Sequence, residues 1–252
     1  LIIYTINMTI INQTLDYYSE FFPTPENQFE FIERLVGHLQ QPVKILNIEA
    51  GAGVLAEKLA EKYEVIATDR YTSFTNLINK RKSFSTNKLN VFNIEPIDIG
   101  RYFGKQFVDL IFCLDSRVIF MKDLTLIKKF LFDSKMILKE NGYVVIEVVN
   151  FAKLNFEEDS IQMPTRESCR GSLFTTIIKD KKTATYRLFQ NIVTTNDTVI
   201  EKVKNEEVWP ISIDTFTSIS NELGFSSVNF FSDFNGASYS EDTDNLICVF
   251  KK

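Results

Sequence analysis

Val43-Lys44-Ile45-Leu46-Asn47-Ile48-Glu49-Ala50-Gly51-Ala52-Gly53-Val54-Leu55-Ala56 decides how the chain is read. Its first half is a short apolar run rich in β-branched residues, the pattern of a strand buried on both faces. Its second half carries two glycines at alternate positions and runs into Val54 to Tyr63, where Leu55, Ala56, Leu59 and Ala60 recur at helical spacing. Strand, glycine turn and helix make the opening unit of a nucleotide-binding α/β sheet. Glycines let the backbone approach a ligand, and the helix N-terminus offers unpaired N–H groups with a partial positive charge.

Upstream of this unit, Gln13 to Phe22 reads as an amphipathic helix carrying Leu15, Tyr18 and Phe22, ended by Pro23. Thr24-Pro25-Glu26 predicts the start of a second helix, with a capping hydroxyl, a proline at the first helical position and an acid in the first turn. Phe29, Ile32, Leu35, Val36 and Leu39 form its apolar stripe, and Gln41-Pro42 breaks it. Downstream, strands are predicted over Glu64 to Thr68, Leu89 to Ile94, Phe107 to Leu114 and Tyr143 to Val149. Helices are predicted over Tyr71 to Lys82, with Phe74, Leu77 and Ile78 inward, and over Lys122 to Leu138. This alternation argues for a doubly wound, mostly parallel sheet covered on both faces.

After residue 150 the rhythm changes. Ser172 to Val208 has no helical period but three β-rich runs, separated by Lys179-Asp180-Lys181-Lys182 and by Asn196-Asp197, which predicts an antiparallel meander. Ile213 to Leu223 reads as a last helix stopped by Gly224, and Ser227 to Ser232 with Leu246 to Lys251 as a closing strand pair. The division expected is a helical lid over residues 1–42, a cofactor-binding core over 43–150, an antiparallel β insertion on the substrate side over 151–209, and a helix and hairpin over 210–252 that complete the core sheet.

Composition narrows the function. The 252 residues are 44% hydrophobic and 24% charged, as in an ordinary globular protein, and the formal charge of −5 supplies no basic field for nucleic acid. Cys113, Cys169 and Cys248 are an odd number without paired short spacings, which points to a reducing compartment and no zinc site. The single histidine, His38, reads as a surface residue, which removes His-based triads and multi-His metal centres, so no metal is expected. Leu1 to Ile11 is too short and too polar to span a bilayer, with no basic segment before it; a cytoplasmic location and no membrane partner are expected, with Met8 a candidate natural start.

The order of elements resembles the class I S-adenosylmethionine-dependent methyltransferases over nearly the whole chain. It is most similar to small-molecule methyltransferases with an antiparallel insertion before the last helix, the amino-sugar and glycine N-methyltransferase-like groups. The resemblance rests on the glycine stretch, on Phe107-Val108-Asp109-Leu110-Ile111-Phe112-Cys113-Leu114-Asp115-Ser116, on Leu138-Lys139-Glu140-Asn141-Gly142-Tyr143-Val144-Val145-Ile146, on Glu207-Val208-Trp209-Pro210, and on Leu223-Gly224-Phe225. It implies a seven-stranded Rossmann-like methyltransferase fold with an antiparallel β insertion, S-adenosyl-L-methionine as cofactor, and a small-molecule acceptor methylated at nitrogen or oxygen.

The family's glycine motif has an acid followed by three glycines at alternate positions, which here fall on Asn47, Glu49, Gly51 and Gly53. Two positions therefore depart, and Glu49 is expected either to restore the charge that Asn47 lacks or to fill space the cofactor needs. Asp69, just past the second strand, is the expected acceptor for both ribose hydroxyls, and Glu95 for the adenine amino group, with Asp98 as competitor. Leu114 and Asp115 would line the methyl-transfer point. Asp115 and Tyr18, the latter at the position of a lid tyrosine, are the candidate catalytic residues; Arg187, Glu206 and Trp209 of the insertion are the candidate substrate contacts. Meander edges leave a homodimer open.

Two other functions are consistent with parts of the sequence. Gly51-Ala52-Gly53-Val54-Leu55-Ala56 also satisfies G-x-G-x-x-A, the fingerprint of an NAD(P)-dependent oxidoreductase. The antiparallel chain end and the lack of a Tyr-x-x-x-Lys pair argue against it. Asn47 and Glu49 motivate the other, a methyltransferase-like scaffold without catalysis that serves as a binding protein.

Overall fold

The computed structural model describes residues 15–82, 88–154, 160–180 and 185–252, so the segment Leu1 to Ile11 with Met8, and Lys181-Lys182, lie outside it. The chain divides into two units. One comprises Thr24–Lys153 and Ile211–Lys252, the other Leu1–Pro23 and Leu154–Pro210. Residues 24–42, grouped from the sequence with the N-terminal helix, therefore belong with the core, and the first helix belongs with the insertion.

The larger unit opens with α2 (Glu26–Val36), preceded by helical residues 15–21 (α1) of the other unit. Then follow β1 (Lys44–Ile48), α3 (Val54–Ala60), β2 (Glu64–Thr68), α4 (Thr72–Lys82), β3 (Leu89–Phe92), the single turn α5 (Ile99–Tyr102), β4 (Val108–Cys113), α6 (Leu124–Ile137) and β5 (Leu138–Val149). After the excursion into the smaller unit come α7 (Ile213–Leu223), β11 (Ser227–Phe231) and β12 (Asn245–Lys251). The seven strands are ordered β11-β12-β5-β4-β1-β2-β3. β3, β2, β1, β4 and β5 run parallel, and β12 pairs antiparallel with both β5 and β11. The doubly wound, mostly parallel seven-stranded sheet expected from the sequence is the sheet observed.

Burial explains why these segments are strands. Four of the five residues of β1 and of β2, and all six of β4, are buried, as strands covered by helices on both faces require. Ile45, Leu110, Val65 and Val145 of four adjacent strands share one core with Leu55, Leu59, Ile32 and Val36 of the helices.

Some local expectations change. α2 starts at Glu26 with Pro25 as its N-cap, and no side chain caps it, so Thr24 does not serve as the capping hydroxyl. Phe31 and Ile32 lead its buried face, with Phe29, Leu35 and Leu39 packed at the margin. In α4, Thr75 is buried beside Phe74 and Ile78, while Leu77 is only partly covered. The long helix begins later than predicted because Asp123 caps it, its Oδ1 accepting from the Leu126 amide at 2.9 Å. β5 begins at Leu138, and the predicted turn Lys139-Glu140-Asn141-Gly142 is an irregularity within the strand, with Asn141 at φ 63°. Gly142 fits there because a Cβ would meet the Asp109 carbonyl oxygen at 2.8 Å.

The smaller unit is a five-stranded antiparallel sheet of β6 (Ser160–Gln162), β7 (Arg166–Ser168), β8 (Gly171–Asp180), β9 (Thr185–Thr194) and β10 (Val199–Val208). Its path is β10-β9-β8-β6, with β7 paired to β8. The Asn196-Asp197 turn forms as predicted, with Asp197 at φ 57° and its amide donating to the Thr194 carbonyl at 2.9 Å. Phe21 of α1 packs on Leu173 and Ile192, flanked by Tyr17, Phe22 and Ile200. Cations close over its rings: the Arg170 guanidinium lies 4.3 Å from the Tyr17 centroid, and the Lys202 ammonium 4.1 Å from that of Phe22. Among the described residues no helix is long and apolar enough to cross a membrane.

Candidate functional site

The chain leaves β1 for β2 and β3 on one side, and returns to β4 on the other. This reversal between β1 and β4 is where an open α/β sheet leaves a crevice beyond the C-terminal ends of its strands. The loops that border it follow Ile48, Thr68, Phe92 and Cys113.

The turn after β1 keeps the backbone of a three-glycine motif. Glu49, Gly51 and Gly53 all lie in the left-handed region, at φ 56°, 55° and 75°. Glycine is required at the last of these, because a Cβ on Gly53 would stand 2.5 Å from Cγ1 of Ile78 on α4. The turn is pinned by amides: Ala50 donates to the Thr68 carbonyl, Gly51 to Asp69 Oδ2 and Gly53 to the Ala50 carbonyl, each at 2.9 Å. Arg81 of α4 donates to the Ala52 carbonyl and pairs with Glu57 at 2.9 Å.

Glu49 has a partner that its reading from the sequence did not include. Its side chain is 1% exposed, and its Oε1 accepts from Arg70 Nε at 2.8 Å. The carboxylate is thus spent on a guanidinium supplied by the loop after β2. Burial works against the charge on Arg70, but the Glu49 carboxylate outweighs it and holds the guanidinium above its ordinary pKa. Asn47 is buried, with Nδ2 donating to the Ile48 carbonyl at 3.3 Å.

Asp69 is buried beside this pair. Oδ2 accepts the Gly51 amide and Oδ1 the Tyr71 amide at 2.8 Å, and each oxygen retains a lone pair for a further donor. Burial, then the nearby Glu49 charge, push its pKa up to about 7, against the pull of Arg117 and of the two amides. Asn93, just past β3, donates from Nδ2 to the Asp69 carbonyl at 2.8 Å, tying the ends of β2 and β3 together. Glu95 is exposed and heads the 3₁₀ turn Pro96–Asp98, while Asp98 pairs with Arg101 at 3.0 Å.

At the end of β4, Leu114 is buried and Asp115 half-buried. Asp115 and Ser116 are consecutive left-handed residues, at φ 54° and 57°, a strained pair that β5 secures. The Asp115 amide donates to Glu147 Oε2 at 2.7 Å, and Ser116 Oγ accepts the Val149 amide at 2.9 Å. Burial pushes the Cys113 thiol above its usual range.

The structure therefore gathers Asn47, Glu49, Gly51, Gly53 and Asp69 around one turn, with Leu114 and Asp115 at the end of the neighbouring strand. Tyr18, Arg187, Glu206 and Trp209 belong to the smaller unit. There Tyr18 is buried and stacked on Phe22 with centroids 4.8 Å apart, and the Arg187 guanidinium meets the Asn205 side-chain oxygen at 3.5 Å. Glu206 stands opposite Leu188, and Trp209 is half-buried past the end of β10. Sequence reasoning missed Arg70, Asn93 and Glu147. Arg70 had a signal, a cation directly after the ribose-site acid and opposite in charge to a glutamate at a glycine position. Glu147 had one too, as an acid inside the apolar run Val144 to Val149.

No known family profile and no curated protein matches the sequence. Solved structures do match in fold. The CcbJ methyltransferase from Streptomyces caelestis superposes with a TM-score of 0.79 at 13% identity, over 95% of each chain. An S-adenosylmethionine-dependent methyltransferase from Clostridium acetobutylicum gives 0.71 at 15% identity, over 95% of this chain and 98% of the other. CalS10, an amino pentose methyltransferase from Micromonospora echinaspora with S-adenosylmethionine bound, gives 0.62 at 8% identity, over 93% and 95%. The fold is the Rossmann-like fold of the class I S-adenosylmethionine-dependent methyltransferases.

Proposed function

We propose that this chain is an S-adenosylmethionine-dependent methyltransferase acting on a nitrogen or oxygen of a small molecule. The observation that carries the reading is the left-handed turn at Glu49, Gly51 and Gly53, set at the switch between β1 and β4 and bound to the carboxylate of Asp69. Likeness of fold to small-molecule methyltransferases supports it. The antiparallel β12 beside β5 and the missing Tyr-x-x-x-Lys pair weigh against a nicotinamide enzyme.

The residues present suit the cofactor in two respects. Asp69 keeps a lone pair on each carboxylate oxygen that ribose hydroxyls could use, and Gly51 adds no side chain to the turn beside the proposed amino-acid tail. When bound, S-adenosylmethionine supplies an electrophilic methyl group that an in-line nucleophile can take without metal or covalent enzyme intermediate. Asn47 and the Gly51 backbone would hold the tail, Asp69 the ribose, Asn93 or Glu95 the adenine edge, and Leu114 would exclude water beside the methyl. Asp115 would orient the acceptor and take its proton on a carboxylate oxygen. Holding the nucleophile in line can supply on the order of 7–11 kcal/mol.

Thermal stabilisation and calorimetric titration with S-adenosylmethionine, S-adenosylhomocysteine and NAD test the proposal. The first two are expected to bind and NAD not. Binding of NAD alone would replace the reading with the oxidoreductase, and silence towards all three would favour a scaffold that has lost the cofactor.

A further inference from the structure

Glu49 and Asp69 stand one step beyond Ile48 and Thr68, which are partners in the parallel register of β1 and β2, so the two carboxylates leave adjacent strands at the same level. Like charges so placed oppose one another, and a glutamate in a left-handed turn is strained where the glycine it replaces would not be. The compensation is Arg70, whose Nε meets Glu49 at 2.8 Å with both side chains largely out of solvent. We infer that the Glu49–Arg70 pair is a positioning device for Asp69: Arg70 holds the Glu49 carboxylate and offsets part of its charge at the turn, so that Asp69 is the carboxylate offered to the ribose. The inference rests on the methyl-donor site proposed above and assigns Glu49 and Arg70 a part in it that acts through Asp69.

The groups around Asp69 make the prediction specific. From the glycine turn come Glu49 and the Gly51 amide, and from its own loop Arg70 and the Tyr71 amide. Asn93 holds its carbonyl from β3, and Arg117, in the segment after β4, opposes the rise in its pKa. Of the two acids only Glu49 has a cation bonded to it. Removing Glu49 or Arg70 should therefore move the ionisation of Asp69 in opposite directions, which a purely structural brace would not do.

The test is a carboxyl-carbon NMR titration of selectively labelled aspartate, with Asp69→Asn assigning the signal. In Glu49→Gln the Asp69 midpoint is expected to fall by about one pH unit, and in Arg70→Gln to rise by about as much. Glu49→Gln/Arg70→Gln should return close to the wild type. An Asp69 midpoint unchanged in Glu49→Gln, or moved the same way in both single variants, overturns the inference. Should Arg70→Gln not fold, Glu49→Gln and Arg70→Lys decide, the lysine being expected to hold the wild-type midpoint. Calorimetric titration with S-adenosylhomocysteine at pH 6 and pH 8 is the second arm. Glu49→Gln should bind several-fold tighter than wild type at pH 6 and alike at pH 8. A wild type that binds no S-adenosylhomocysteine at either pH overturns the cofactor site, while the NMR titration still decides the role of the pair.

Discussion

Replacing Glu49 by glycine would restore the residue that a glycine-rich turn ordinarily has, yet the structure says the protein should lose stability. Two backbone effects nearly offset each other. Relieving a left-handed non-glycine residue gains about 1–2 kcal/mol, and the added freedom of glycine in the unfolded chain returns roughly 0.5–1 kcal/mol. The side chain then decides. Glu49 Oε1 is bonded to Arg70 Nε at 2.8 Å, and the side chains are 1% and 17% exposed. Removing one partner of a buried pair costs about 3–5 kcal/mol, and the residual exposure of Arg70 brings this towards the lower end. The balance is a loss of about 2 kcal/mol, which in a chain of this size corresponds to roughly 4–8 °C in Tm. Differential scanning calorimetry of Glu49→Gly, Arg70→Met and the double variant checks it. The single variants should melt lower, and the double should recover most of the loss, because no buried charge is left alone. A Glu49→Gly protein that melts at or above the wild-type temperature would refute the reasoning.

Three more outcomes follow from the geometry. Gly53→Ala should cost at least about 2 kcal/mol, since it combines a left-handed φ of 75° with a Cβ 2.5 Å from Ile78 Cγ1; urea denaturation reads it, and an unchanged midpoint would show that α4 yields freely. Asp69 has its folded pKa raised above the unfolded value to about 7, so its stabilising contribution is present in full below about pH 4 and is lost as pH rises through 7. The Tm of Asp69→Asn relative to wild type should therefore climb from pH 5 to pH 8, on top of a constant penalty because the amide NH2 replaces one of the two oxygens that accept the Gly51 and Tyr71 amides and meets a donor there; a flat difference would contradict the raised pKa. Phe21→Ala should cost about 3 kcal/mol in the smaller unit by emptying its contact with Leu173 and Ile192, and limited proteolysis should then cut near residue 21 much faster than in wild type.

The sheet was legible because each of its parts is written locally. Leu46 to Ile48, Val65 to Thr68 and Val108 to Cys113 are apolar runs of strand length, and Ile213–Leu223 ends at a glycine with φ 70° where the sequence puts Gly224. The glycine turn and Asp69 were legible for the same reason, lying within one strand-turn-helix-strand unit. Helix capping was less so: Thr24 reads as a cap but α2 starts from Pro25 without a side-chain cap, whereas Asp123 caps α6.

What the sequence determined alone is therefore the alternation of buried strands and amphipathic helices, the turn that interrupts it and the antiparallel change of rhythm after residue 150. Tertiary structure decided the partners. Glu49 meets Arg70 across 21 residues, Asp115 meets Glu147 across 32, and α1 joins a sheet that begins more than a hundred residues later. Periodicity and turn chemistry act between neighbours in the chain, whereas a buried charge takes its partner from whichever strand end the parallel register brings to the same level. That register exists only once the helices have packed and the strands have paired.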